Sequence, residues 1–256
     1  MYKILKHLFL LFLIFLCSPF VSGQSHTNVS HSPERLLLDS EITHGGNYQW
    51  KMIKAGDVNA SGETISQPDL HTSEWMPAIV PGTVLNSLVY NKKYPEPYYG
   101  INNKLESKLI PDISETGRDF YTYWFRTEFT VPESFKGKTI WLQLDGINYR
   151  AEVWVNGNLL STIHGMFMQD YINVSEFVKI GKKNALAIKV YPVDVPGSTK
   201  PKTWGAVGEF HNGGNGNIGL NTTMLMTVGW DFTFMDGIRD RNTGIWRNIS
   251  LYTTGK

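Results

Sequence analysis

Gly214, Gly216 and Gly219 carry the spacing with which a Gly-rich turn between a strand and a helix cradles a pyrophosphate. Their flanks, His211-Asn212-Gly213 and Asn221-Thr222-Thr223, are loop residues on both sides. The aligned amides and helix dipole that the chemistry needs are therefore missing, and no nucleotide site is expected. None of the seven histidines stands at a metal-ligand spacing with Cys, His or a carboxylate, so neither a metal nor a cofactor is expected. His211 is the one histidine in a long polar loop, where a solvated side chain is the ordinary outcome. No Gly-x-Ser-x-Gly elbow is present. The 23 acidic residues contain carboxylates enough for a hydrolytic pair. No Glu marks a recognisable strand end, however, and no catalytic residue is assigned.

The elements that would position any site are strands. Tyr123, Phe125, Thr127, Phe129 and Val131 alternate with Trp124, Arg126, Glu128 and Thr130, the pattern of a half-buried strand. Thr139–Leu144 repeats it. Ala151–Val155 runs into Asn156-Gly157, a strong hairpin signal, and Leu159–Ile163 returns. Ala185–Tyr191 alternates up to Pro192, and Ile245–Tyr252 reads as a closing strand. Helical signals are short: two turns over Val84–Tyr90 and one over Ser175–Lys179. The absence of βαβ alternation argues against a parallel nucleotide-binding sheet. Many short strands punctuated by Gly, Pro and Asn predict an all-β chain, a jelly-roll β-sandwich. The longest irregular stretch, Pro192 to about Thr223, is expected at one end of the sandwich, near whatever the domain binds.

Lys3 and Lys6 precede an apolar run from Leu8 to Leu16, and Val21-Ser22-Gly23 offers a small-residue cleavage pattern. The run is about half the roughly 20 residues needed to span a bilayer. Residues 1–23 therefore read as a signal peptide, residues 24–46 as a polar tether with an entry strand, and residues 47–256 as the folded domain. Leu16 is bulky where a lipid-modification site takes a small residue, which disfavours an anchor on Cys17. A secreted or periplasmic protein with no membrane span is expected. Loss of residues 1–23 removes two lysines and no acid, leaving 22 basic and 23 acidic residues, without the basic footprint of a nucleic-acid binder. Cys17 is the only cysteine, so a mature domain would rely on its core rather than on disulfides. An aromatic share of 13% suits a β-rich protein that packs rings or stacks them on ligands.

Three ordered segments give the chain a resemblance. The first is Val80-Pro81-Gly82-Thr83-Val84-Leu85, followed by Tyr94-Pro95-x-Pro97-Tyr98-Tyr99-Gly100-x-Asn102. The second is Tyr123-Trp124-Phe125-Arg126-Thr127-x-Phe129, then Leu144-Asp145-Gly146-Ile147 and Val153-Trp154-Val155-Asn156-Gly157. The third is Val228-Gly229-Trp230-Asp231, with Thr243-Gly244-Ile245-Trp246 closing. Together, across residues 47–252, they resemble the N-terminal sugar-binding, galactose-binding-domain-like sandwich of family 2 glycoside hydrolases. Val190-Tyr191-Pro192-x-Asp194 and the Gly-Trp-Asp segment lean toward the β-mannosidase and exo-β-D-glucosaminidase branch. The mannosidase-like pattern continues Gly-Trp-Asp with Trp-Gly, whereas Phe232-Thr233 follows here.

The resemblance implies a multi-domain retaining glycosidase, in which immunoglobulin-like domains flank a TIM barrel carrying both catalytic glutamates. That barrel lies outside these 256 residues, so the chain is expected to be inactive alone. The partners implied are those domains and a β-linked sugar. The resemblance points to Asp231 as the residue that accepts hydrogen bonds from sugar hydroxyls, and to Trp230 as an apolar wall beside it. Read without it, Asp231 caps a turn and Trp230 fills core. Trp154 and Trp246 read as core or interface residues on strands, and Asp119 as the residue ordering a loop. A free-standing carbohydrate-binding module and a non-catalytic interaction sandwich with an apolar face are the alternatives.

Overall fold

The central alternating segment is buried on both faces. The computed structural model describes residues 34–43, 45–102, 107–194 and 242–255. Within them the strands are β1 (Arg35–Leu37), β2 (Lys51–Lys54), β3 (Met76–Pro77), β4 (Gly82–Thr83), β5 (Tyr123–Thr130) and β6 (Thr139–Leu144). They continue with β7 (Arg150–Val155), β8 (Asn158–His164), β9 (Asp170–Asn173), β10 (Lys183–Tyr191), β11 (Gly244–Ile245) and β12 (Ile249–Thr254). Three short α-helices, α1 (Gly62–Ile65), α2 (Val84–Tyr90) and α3 (Ile113–Thr116), and the 3-10 turns Ala55–Asp57, Arg118–Tyr121 and Glu133–Phe135 complete the regular structure among these residues.

Six strands form one sheet in the order β3-β2-β5-β10-β7-β8, and four form a second in the order β1-β12-β6-β9. Phe125 and Phe129 of β5, Ile188 of β10 and Val153 of β7 share a hydrophobic core with Ile140 and Leu142 of β6 and Leu251 of β12. The two sheets thus face each other as an all-β sandwich of antiparallel pairs. β1 falls within the stretch read as tether and entry strand, and it pairs with β12 through Leu36 and Leu251.

Residues on β5 that alternation sends to the far side, Trp124 and Arg126, are also buried. Ile65 and Trp75 cover that face, with Val58 and Leu70 packed against them. Arg126 is satisfied there by donating from Nε to the Ile65 carbonyl (2.9 Å) and from Nη2 to the Gln67 carbonyl (2.7 Å) and Glu128 Oε1 (2.6 Å). Glu128 accepts further from the Asp69 amide (2.8 Å). Burial alone would raise the Glu128 carboxyl, but the Arg126, Asp69 and Lys183 donors hold it below its ordinary value. The strand expected to be half-buried is therefore a central strand beneath a chain crossing.

The hairpin forms as its Asn-Gly predicts. Asn156 and Gly157 have φ of 47° and 89°, the left-handed pair of a two-residue turn. The Asn156 side chain donates to the Phe177 carbonyl (2.7 Å) and accepts from the Ala185 amide (2.9 Å), tying the turn to β10. α2 occupies Val84–Tyr90 as expected, with the Thr83 hydroxyl accepting from the Asn86 amide (3.0 Å) at its N-terminus. Ser175–Lys179 closes a single turn through Val178 N to Val174 O (3.1 Å) without becoming a helix.

The closing strand is divided. Gly244–Ile245 pairs with β4 in a two-stranded sheet of its own, and only Ile249–Thr254 joins the four-stranded sheet. Between them the backbone turns to the β6–β7 connection: Arg247 N donates to Gly146 O (3.3 Å) and Asp145 N to Asn248 O (3.1 Å). Trp246 consequently lies between strands rather than on one.

Candidate functional site

Register brings three strand ends together. Arg150, at the start of β7, pairs with His164 at the end of β8 and with Tyr191 at the end of β10. Asp194, three residues past Tyr191, collects what this end offers. Its Oδ2 accepts from Arg150 Nη2 (2.8 Å) and meets His164 Nε2 (2.8 Å), while its Oδ1 accepts from Arg118 Nη2 (2.9 Å). Arg118 comes from the short 3-10 turn Arg118–Tyr121 before β5 and donates also to the Pro192 carbonyl (3.0 Å). The same Asp119 that was expected to order this loop accepts the Thr122 amide through its carbonyl.

Desolvation on its own would raise the Asp194 carboxyl. The His164 hydrogen bond and the Arg150 and Arg118 guanidinium groups outweigh it and hold Asp194 below its ordinary value. The sign for stability follows. A carboxyl depressed in the fold stabilises above its unfolded value, 3.8, and that contribution is lost as pH falls through the folded value. Thermal unfolding between pH 7 and pH 2 is expected to show a stability loss on the acid side. Asp194→Asn should reduce it, the depressed Glu128 carboxyl supplying part of what remains; an unchanged acid limb in that variant would contradict the assignment.

Next to this cluster, Tyr191 donates its hydroxyl to Glu152 Oε1 (2.5 Å), and burial together with that carboxylate pushes the phenol well above its usual value. Tyr149 meets His164 edge to face at 5.0 Å and packs with Met166 and Val193, against which Trp246 leans. The Trp246 indole donates to the Met166 carbonyl (3.0 Å), and Phe167 stands edge-on to it at 5.8 Å. Phe167 and Met168 are half-exposed.

Two adjacent residues hold both flanks of the stretch from 195 to 241. Tyr149 N donates to Tyr191 O (3.0 Å), while Asn148 exchanges two backbone hydrogen bonds with Gly244 (2.8 Å each). The Asn148 amide group also donates to Asn242 Oδ1 (2.8 Å) and Asn242 O (3.0 Å). Asp194 and Asn242, the described residues on either side of that stretch, therefore stand at the same end of the sandwich. Trp230, Asp231 and His211 lie on this stretch, outside the described residues. Of the residues singled out in the sequence, Asp194 is the one the structure brings into the cluster. Arg118, Arg150 and His164 went unnoticed there, because residues so far apart in sequence share no local spacing. The available signal was that Arg150 and His164 flank the strands of the Asn-Gly hairpin.

Asp194 engages Nη2 of both Arg118 and Arg150, so this cluster acts as a brace, and the half-exposed rings beside it supply apolar surface. Among the described residues no group of three or more His, Cys, Asp and Glu could hold a metal ion, and no helix is long and apolar enough to cross a membrane.

Fold and strand-end architecture define the class as a galactose-binding-like β-sandwich. A family model described as the glycosyl hydrolase 2 galactose-binding domain-like family matches residues 56–247, and the chain belongs to that family. A mannosylglycoprotein endo-β-mannosidase of Lilium longiflorum is 38% identical over 209 residues, covering 80% of this chain and 20% of that protein. An exo-β-D-glucosaminidase of Amycolatopsis orientalis is 29% identical over 146 residues, covering 56% of this chain and 13% of that protein. The crystal structure of an exo-chitosanase from Amycolatopsis orientalis shares the fold with a TM-score of 0.59 at 22% identity, over 87% of this chain and 21% of that one. The branch expected from the sequence is the branch of these relatives. The chain spans between 13% and 20% of the length of the two curated relatives.

Proposed function

We propose that the chain is the carbohydrate-binding sandwich of a secreted family 2 glycoside hydrolase acting on β-linked mannose or glucosamine. Hydrolysis would belong to a TIM barrel, accompanied by immunoglobulin-like domains, outside these residues. The observation that carries the reading is the convergence of Tyr191 and Gly244 on Tyr149 and Asn148. It anchors both flanks of the stretch bearing Trp230 and Asp231 at one end of the sandwich, beside half-exposed rings. In this reading Asp231 accepts hydroxyl hydrogen bonds and Trp230 walls the sugar. Tyr98, Tyr99, Ile101 and Leu109 expose large apolar side chains, which suits a surface that packs on a further domain. The basic and apolar pattern of residues 1–23 supports export.

Calorimetric titration with methyl β-D-mannopyranoside and methyl β-D-glucosaminide tests the reading, since single sugars engage one subsite. Millimolar binding to one of them is expected, with loss of at least tenfold in Asp231→Ala, on the order of one charge-assisted hydrogen bond. Equal affinity in wild type and Asp231→Ala would remove Asp231 from the site.

A further inference from the structure

The chain treats the outward faces of its two sheets differently. Residues from Ala55 to Trp75 bury the outer face of the six-stranded sheet. Among the described residues no buried cluster forms over the outer face of the four-stranded sheet. That face carries three aromatic rings. Register sets Trp141 opposite Tyr252 on one side and Asn173 on the other, and Gln143 opposite Tyr171. The rings of Tyr171 and Tyr252 meet edge to face across β6, 6.5 Å apart at 88°. The Trp141 indole donates to Thr254 Oγ1 (3.0 Å), which fixes its plane, and Tyr171 is 47% exposed.

Polar groups line both margins. On one side the Arg35 guanidinium donates to the Gln143 side-chain carbonyl, and the Gln143 amide donates to Asp145 Oδ1 (2.6 Å). The Tyr171 hydroxyl donates to Gln169 Oε1 (3.2 Å), whose amide nitrogen lies 3.4 Å from the same Asp145 oxygen. Among the described residues neither Arg35 nor Asp145 has an ion-pair partner. On the other side, beyond Trp141, Thr139 and Asn173 open into a groove of about 510 Å³ that Ser175 and Glu176 also line.

A pyranose unit has an apolar C–H face and a rim of hydroxyls that both donate and accept. Aromatic rings suit the face, and a few placed polar groups suit the rim. Arg35 supplies a charged donor and Asp145 a charged acceptor, kept apart by the 92%-buried Gln143. Separated opposite charges complement a neutral polyol, whose hydroxyls satisfy both, better than a ligand of either net charge. The groove extends the surface beyond one sugar unit. We propose that the Trp141–Tyr252–Tyr171 face binds a neutral β-linked oligosaccharide as a second site, apart from the strand-end site. The choice of a β-linked ligand rests on the function proposed above; the existence of the platform does not.

The test titrates the full chain carrying Asp231→Ala, which disables the strand-end site, with β-1,4-mannohexaose. Binding is expected to persist and to weaken about fivefold to tenfold when Tyr171→Ala is added, the range of one lost stacking partner. Asp145→Ala in the same background changes no ring and should weaken binding as well. Tyr171 is half-exposed on an edge strand, and an unchanged melting temperature confirms that each variant is folded. Absence of hexaose binding in the Asp231→Ala chain, or affinity indifferent to Tyr171→Ala and Asp145→Ala alike, overturns the platform. Tighter binding of the cationic chitosan hexamer than of mannohexaose overturns the neutral ligand. None of these results bears on single-sugar binding at Asp231, so the two readings fail separately.

Discussion

Arg126→Ala is expected to lower unfolding stability by about 3 kcal/mol, through unsatisfied carbonyls and a partly buried carboxylate left behind. The side chain is buried, and its donors satisfy Ile65 O, Gln67 O and Glu128. Removing it leaves two inward-facing carbonyls without their partners. It also takes away the stem over which the 55–75 crossing lies. Glu128 would not be abandoned outright, because the Asp69 amide and Lys183 still reach it. For a domain of this size the loss corresponds to about 6–12 °C in melting temperature, measured by circular dichroism. Arg126→Met keeps most of the stem and should lose less than Arg126→Ala. A shift below about 2 °C for Arg126→Ala would mean that the crossing holds to the sheet by apolar contact alone.

Gly244→Ala should be of similar size, about 2–4 kcal/mol, for a reason of space rather than charge. Gly244 has φ 155°, and a Cβ there would sit 2.5 Å from both the Gly82 carbonyl oxygen and Thr83 Cα. Both are backbone atoms of β4, which no rotamer change can move aside. Relief requires parting β11 from β4 or breaking the paired Asn148–Gly244 hydrogen bonds. Gly56→Ala is the control, since a Cβ there meets nothing within 4 Å. Urea denaturation of the two variants decides the matter. Equal midpoints would show that the two-stranded sheet yields without cost.

Much of the sandwich was legible because alternation and turn chemistry are local. β5, β6, β7, β8 and β10 each announce themselves by period two, and Asn156-Gly157 fixes its turn through left-handed backbone that those residues adopt readily. What escaped was what depends on a distant segment. Arg126 sits where alternation puts a solvent-facing polar residue, and only the fold brings residues 55–75 over it. The closing strand reads as continuous, yet Arg247 and Asn248 find backbone partners at Gly146 and Asp145 and pull the chain out of register. β2 and β3 are too short to show a period. The strand-end cluster was half-legible. Asp194 stood in a recognisable segment, and the Asn-Gly hairpin links Arg150 to His164, but nothing local links that pair to Arg118 or to Asp194. The aromatic platform was hidden for the same reason: Trp141, Tyr171 and Tyr252 belong to three strands that neighbour one another only in the sheet.

The hydrogen bonds of Asn148 and Tyr149 also bear on how such a chain varies. Tyr191 and Gly244 stand far apart along the sequence, yet both attach to this one dipeptide of the β6–β7 connection. The dipeptide acts as a rivet through two strands, so whatever displaces it displaces β10 and β11 together. Substitutions at Asn148, Tyr149 and Gly244 should therefore be coupled rather than additive, because they share one set of backbone hydrogen bonds. Drift at any one of the three positions is constrained by the other two.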